Sequence, residues 1–475
     1  MPSIFNSLLW KAGERIIVQG LGIIVQIILA RLLMPEDFAC LAIIGAIINY
    51  LGLFVQSGLS VAVVQKKELT SKDVSTLATI SLGMALLMYV VVYVGAPYIS
   101  RYYNLDEILW PIRVMGLSLF LFAFNSIQSG LLQRKMMFRT IFWRSFIASI
   151  LSSIVGIALA YQGFGIWALI AYSMSNIIFI VIFMNMIPEL RLKLGFSLKS
   201  AKELYSFSLK ILGTSLISSG GDTLRTLVIG KQYSQDQLAF FDRGLNYSGM
   251  VTQVVNTSIS AVVLPVFSRK QDDINDLKQS ARRFVRMSAF VMMPTLVLVA
   301  LLAKPLVMII LTEKWLPCAV FLSLFCLLRI PGVITSCDKQ VYYALGKSNI
   351  GLYYEALLLA ANILSLIIML PYGIMAVAVC FTIVEYIGNA ALLIVSSKVY
   401  GYTIRERLVD LSKPILNTGI MALVAFLPTL FIDALWPLLL VQLTVSIVSY
   451  TAMAYFTKDE SMTYIFEKLK CVFKG

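Results

Sequence analysis

Charged side chains stand inside segments of this chain that are otherwise too apolar to hold them. Nine are basic (Lys11, Arg15, Arg113, Arg144, Lys210, Arg225, Arg243, Arg329 and Lys339) and six are acidic (Glu14, Asp222, Asp242, Asp338, Glu355 and Glu385). A charge facing lipid at mid-membrane costs about 2.5–3.5 kcal/mol or more, so most of these must meet a partner or water. Lys11, Arg144, Arg243 and Glu355 lie close enough to segment ends to be expected as interfacial anchors. The deeper ones are more informative. Asp222 and Arg225 are three apart, hence on one helical face, within the polar run Ser215 to Thr226. Arg329 lies just before Pro331-Gly332, a pair expected to break or kink its helix. Asp338-Lys339 and Glu385 lie within later segments, while Arg15 and Lys210 sit near the starts of theirs. The surplus is basic, and a basic cavity suits a phosphate-like anion, with Arg better than Lys for forked contacts. Two plainer readings stay open: Asp222–Arg225 and Arg329–Glu385 as internal ion pairs, with Asp222, Asp338 and Glu385 as structural or coupling carboxylates.

Other chemistries are poorly served. There is no histidine in 475 residues, which removes the usual imidazole ligand, base and proton relay. The six cysteines show no CxxC spacing, so metal and disulfide roles are not expected. No P-loop and no loop large enough for a catalytic domain is present, so the chain is not expected to be an enzyme or to hold a cofactor.

The elements that must position these charges are membrane helices. Hydrophobic residues make up 59% of the chain and charged ones 13%, with a mean hydropathy of +0.85, more apolar surface than a soluble protein of this length can bury. Fourteen spans are expected, near 11–33, 39–64, 77–99, 108–132, 141–161, 164–187, 207–230, 240–267, 282–303, 319–345, 351–370, 373–397, 413–431 and 434–456. Their apolar runs are continuous rather than alternating, which predicts helices and not a barrel. No cleavable signal peptide is expected; the first span reads as an uncleaved anchor. With a cytoplasmic N-terminus, about 25 Lys and Arg (Arg407 among them) fall in inside loops against about five outside, so both termini are expected in the cytoplasm. That bias accounts for most of the net charge of +14, and nucleic acid is not an expected partner; membrane lipid is.

The chain also repeats itself. At an offset of 200, Ala30-Arg31 falls on Gly230-Lys231, Glu36 on Asp236, and Gln56-Ser57 on Asn256-Thr257. At 212, Gln128 meets Gln340 and Lys135 meets Lys347; at 208, Gly165-Ile166 meets Gly373-Ile374. Six spans per copy is an even number, which predicts two like-oriented lobes, 1–200 and 201–400, with a substrate path between them. Residues 401–475 supply two extra helices and a tail.

Several short motifs carry a family resemblance: Ala30 to Phe38, Gln56-Ser57-Gly58-Leu59 with Val64-Gln65, Phe240-Phe241-Asp242-Arg243-Gly244, and Leu264-Pro265-Val266-Phe267-Ser268-Arg269. In order and spacing they resemble the WzxC-like polysaccharide exporters of the multidrug/oligosaccharidyl-lipid/polysaccharide superfamily, over residues 1 to about 456. The resemblance implies a V-shaped all-α membrane bundle of about 14 helices that flips undecaprenyl-pyrophosphate-linked repeat units across the bacterial inner membrane by alternating access, for capsule, exopolysaccharide or O-antigen. It also implies a polysaccharide polymerase and chain-length machinery as candidate partners. Under that reading Arg15, Lys210, Arg225, Arg329 and Lys339 are the candidate phosphate ligands, and Gln26, Gln56 and Gln128 candidate hydrogen-bond donors to sugar. The Arg-Asp pair in the first helix of the related lipid II flippase is replaced here by Val25-Gln26, so that site does not carry over. The coupling ion, H+ or Na+ if any, stays open. The alternatives are a cation-coupled multidrug exporter of the same superfamily, against which the basic surplus argues, and a membrane polymerase or ligase, against which the short outer loops argue.

Overall fold

The computed structural model describes residues 17–56, 63, 69–268, 270 and 273–462, with side chains at 203–207, 210, 211, 254–266, 268 and 348 left aside. Arg15, Lys11 and Glu14 therefore lie outside the described residues, as do 57–59 and 64–65 of the motifs; Lys210 is described only as part of a helix. The described residues contain no strand and form seventeen α-helices. These are α1 (Gln19–Leu32), α2 (Pro35–Gln56), α3 (Ser71–Tyr103), α4 (Leu109–Gly116), α5 (Ser118–Arg134), α6 (Phe138–Tyr161), α7 (Ile166–Asn185) and α8 (Leu198–Gln232). They continue as α9 (Gln235–Ser268), α10 (Ile274–Leu301), α11 (Ala303–Ile310), α12 (Cys318–Leu328), α13 (Ile330–Ala344), α14 (Ser348–Met369), α15 (Ile374–Tyr400), α16 (Ile404–Phe426) and α17 (Leu435–Phe456).

Among the described residues eleven helical stretches are long and apolar enough to cross a membrane, and α1 is a shorter apolar helix. The chain is a multi-pass, all-α membrane protein. The described part of each expected span coincides with helix, the fourth and tenth with two helices each, and α8 falls outside the eleven because polar and charged residues interrupt it. Local chemistry sets the ends. Thr70 and Asp73 form a capping box at the start of α3, Thr403 and Glu406 another at α16, and Asp273 caps α10. Pro35 opens α2, where its missing N–H costs nothing, and the Asp37 carboxylate accepts from the Met34 amide at 3.0 Å.

By contact the chain divides into two compact units, Met1–Ala239 and Phe240–Gly475. The expected lobe boundary at 200 follows the sequence repeat; the contact boundary falls later, because α8 packs on α2 and α3. In lipid, helices associate through close packing more than by hiding apolar surface, so small residues mark the contacts. In the first unit Gly156 presses on Tyr172, where an added Cβ would lie 2.7 Å from the Tyr172 Cβ, and α6 and α7 form its most extensive pair. In the second unit Gly244 does the same for Phe321, again at 2.7 Å.

Two spans are interrupted, one in each unit. The helix containing Arg329 breaks between α12 and α13, as Pro331 predicts. Its counterpart breaks at Leu117, between α4 and α5, with no proline there. Leu117 and Arg329 stand at the same offset of 212 that aligns Gln128 with Gln340. The break therefore belongs to the repeated unit, and proline reinforces it in one copy.

Candidate functional site

In the first unit the polar groups gather on α8. Ser215, Ser218, Asp222 and Thr226 recur at helical spacing on one side, with Asp222 74% exposed and its carboxylate 2.7 Å from Arg225, whose side chain is 17% exposed. Two glycines mark close approaches of α8 to its neighbours. A Cβ at Gly220 would stand 3.7 Å from the Tyr50 hydroxyl, and one at Gly230 only 3.1 Å from Ile43 and from Leu238. Tyr103 donates to the Leu227 carbonyl at 3.0 Å, and Lys231 bonds the Tyr102 carbonyl. One face of α8 is thus clamped to α2 and α3 while the other presents hydroxyls and an ion pair outward. A carboxylate so exposed in a membrane bundle needs water, because lipid cannot solvate it.

The second unit places Arg329 at its break. Nε donates to the Ser248 hydroxyl and Nη2 to the Leu245 carbonyl, both at 3.0 Å, and the guanidinium fills the notch left by Gly249. Arg329 thereby ties the break to α9 and is still partly exposed. Glu385 accepts from Asn389 at 3.2 Å, and Asn389 in turn accepts from Thr335 at 2.5 Å. Lys339 pairs with Glu355 at 2.5 Å and lies 5.0 Å from the Tyr354 ring centre.

The remaining candidates are used in packing. Gln128 is fully buried and donates to Asn185 and to the Leu190 carbonyl, both at 3.0 Å, which leaves it out of reach of a sugar. Gln26 and Gln56 are half-buried on α1 and α2. Asp338 is fully buried and takes two hydrogen bonds from Arg407, at 2.6 and 3.0 Å, and a third from the Tyr400 hydroxyl. Asp338 is therefore the carboxylate of an internal ion pair. Arg225 and Asp222 belong to one compact unit, and Arg329, Lys339, Asp338 and Glu385 to the other.

Several expectations from the loops are corrected. Arg407, assigned to an inside loop, lies on α16 and is 1% exposed. Arg243, expected as an interfacial anchor, is buried against Asp242 at 2.9 Å, with Asn246 holding the same carboxylate at 2.8 Å. The basic stripe Lys278, Arg282 and Arg286 meets acids rather than open surface. Lys278 reaches Glu406 at 2.8 Å, Arg282 reaches Asp410 at 2.7 Å, and Arg286 reaches Glu460 at 2.6 Å. The signal was present: Glu406 and Asp410 are four apart on α16, matching the spacing of Lys278, Arg282 and Arg286 on α10.

Two carboxyls from the repeat-related positions also come together. Asp236, in the turn before the eighth expected span, is raised above its ordinary value by burial, and also by the charge and hydrogen-bonding reach of Glu36. These two carboxyls are the residues that the 200 offset superposes, so equivalent positions of the two repeats meet. Elsewhere outside the spans, Lys135 holds the exposed Glu189 below the usual range.

The model of the polysaccharide biosynthesis protein family matches residues 28–320, and the chain belongs to that family. The succinoglycan biosynthesis transport protein ExoT of Rhizobium meliloti is 23% identical over 337 residues, covering 71% of this chain and 68% of its own length. The lipopolysaccharide biosynthesis protein WzxC of Escherichia coli is 21% identical over 334 residues, covering 70% and 67%. The resemblance to WzxC-like exporters is thereby supported. Among solved structures, the lipid II flippase MurJ in an inward closed conformation superposes with a TM-score of 0.77 at 19% identity, over 96% of this chain and 99% of that one. Membership and fold make the chain an all-α membrane protein of the polysaccharide biosynthesis family.

Proposed function

We propose that the chain flips an undecaprenyl-pyrophosphate-linked oligosaccharide across the bacterial inner membrane by alternating access, supplying surface polysaccharide assembly. The observation that carries this reading is the exposed ion-pair face of α8: a guanidinium paired to an exposed carboxylate, inside a membrane bundle of a polysaccharide biosynthesis family. An Arg at that place meets pyrophosphate oxygens in forked geometry when Asp222 yields it. Arg329 is the second candidate, with two donors already directed to α9. The hydroxyls of Ser215, Ser218 and Thr226 border the same face and suit a polyhydroxylated cargo. Any coupling to H+ or Na+ falls to Asp222, whose exposure lets an ion reach it, and not to the sealed Asp338. In this reading both termini lie in the cytoplasm, and a polymerase with chain-length machinery consumes the exported unit.

The test is transport in proteoliposomes of a fluorescent undecaprenyl-pyrophosphate oligosaccharide, comparing wild type with Arg225→Ala. Transport reduced about tenfold or more at equal reconstitution is expected from loss of a charge-assisted contact. Undiminished transport by Arg225→Ala and Arg329→Ala alike removes both from the site. Transport of an organic cation instead of the lipid favours the multidrug reading.

A further inference from the structure

Arg113 differs from the other deep cations. Arg225, Arg243, Arg407 and Lys339 each face a carboxylate. Arg113, on α4, faces two aromatic rings: its guanidinium carbon lies 4.2 Å from the centre of Tyr93 and 5.1 Å from that of Trp110. No carboxylate among the described residues lies within ion-pair distance of it, and its Nε is buried without a hydrogen-bond partner. A guanidinium held by its faces keeps its in-plane N–H groups pointed past the ring edges, in the fork that matches phosphate oxygens. Its neighbours set what can approach. Trp110 is 59% exposed, and Tyr93 continues an outward stripe with Leu86 and Val90, spaced i, i+4, i+7 along α3. An apolar stripe leading to a flat, uncompensated cation matches an acyl chain that ends in a phosphate. A free anion in water gains nothing from the stripe.

We infer that Tyr93, Trp110 and Arg113 form a binding site for the phosphodiester of an anionic membrane phospholipid, on the bilayer-facing side of the α3–α4 corner. The site is separate from the ion-pair face of α8 and does not depend on which cargo the chain carries. It uses the Arg113 charge that the bundle leaves without an acid, and it fixes α4 beside α3 at the break that follows at Leu117.

Native mass spectrometry of the full chain with added phosphatidylglycerol tests this. Wild type should retain one more phosphatidylglycerol than Arg113→Gln, with apparent affinity lowered about tenfold in the variant, as for loss of one charge-assisted contact. Equal retention by the two proteins overturns the site. Phosphatidylcholine held as tightly overturns its anionic preference, and displacement of the lipid by millimolar inorganic phosphate overturns the lipid assignment. If Arg113→Gln aggregates on size exclusion, the Tyr93→Leu/Trp110→Leu double variant carries the test. It keeps the charge but loses the stack, and unchanged lipid retention in it also overturns the proposal.

Discussion

Arg407 on α16 donates two hydrogen bonds to Asp338 on α13, at 2.6 and 3.0 Å, with 1% and 0% of the two side chains exposed. The Tyr400 hydroxyl completes the carboxylate's shell, and the Tyr402 ring centre lies 4.0 Å from the guanidinium. The appended helix α16 is therefore joined to the second unit by a sealed charge pair as well as by apolar packing.

Removing one member of that pair strands the other. Asp338→Ala or Arg407→Ala should each cost about 3–5 kcal/mol of stability, whereas Asp338→Leu with Arg407→Met should restore much of it. Thermal unfolding in detergent, arranged as a double-mutant cycle, measures this. Additive losses would show that the two residues do not act together.

The close contact of α6 with α7 rests on a missing side chain. Gly156→Val places its Cβ against the first side-chain atom of Tyr172, which has no flexible end to move aside. A loss of about 1–3 kcal/mol is expected, visible as a lower melting temperature. Gly213→Val has open space around it and should change little.

The Glu36–Asp236 contact makes stability depend on pH. Because the folded state raises the Asp236 pKa above 3.8, it holds that proton more tightly than the unfolded chain does. The stability this group contributes should thus be fully present at low pH and be lost as pH rises through the folded value. Other charged groups near this turn are Arg31, Asp37, Glu107 and Lys231. Glu36→Gln removes the repelling charge but not the burial of Asp236, so melting temperature plotted against pH should lose part of this slope. An unchanged slope would assign the pH response to another group.

On α8, the two partners have different duties in the proposed mechanism. Asp222→Asn keeps a hydrogen-bond acceptor for Arg225 without its charge, so complementation of an export-deficient host should be less impaired than with Arg225→Ala. Equal loss in both, at equal protein levels, would mean that the pair acts as one structural unit.

Much of the architecture is legible from apolar run length alone, since about 20 such residues crossing a bilayer leave the backbone no alternative to a helix. The break at Arg329 is legible because Pro331 lacks an N–H. The equivalent break at Leu117 carries no such residue and shows only through the 212 offset. Charge pairing was harder. Arg407 has the composition of a loop residue, and only its partner Asp338, distant in sequence, reveals burial. Gln128 and Gln56 are identical in type, yet one is sealed against Asn185 and the other half-buried, a distinction set by neighbouring helices and not by spacing.

Asp338 and Arg407 are 69 residues apart, with two whole membrane spans between them. A ribosome adding about 5–20 residues per second needs roughly 3 to 14 seconds to cover that interval. During that time the carboxylate has been synthesised and its counter-charge has not. Until α16 emerges the Asp338 carboxyl has to be met by water, by other protein or by a proton, and without α16 it would never meet Arg407.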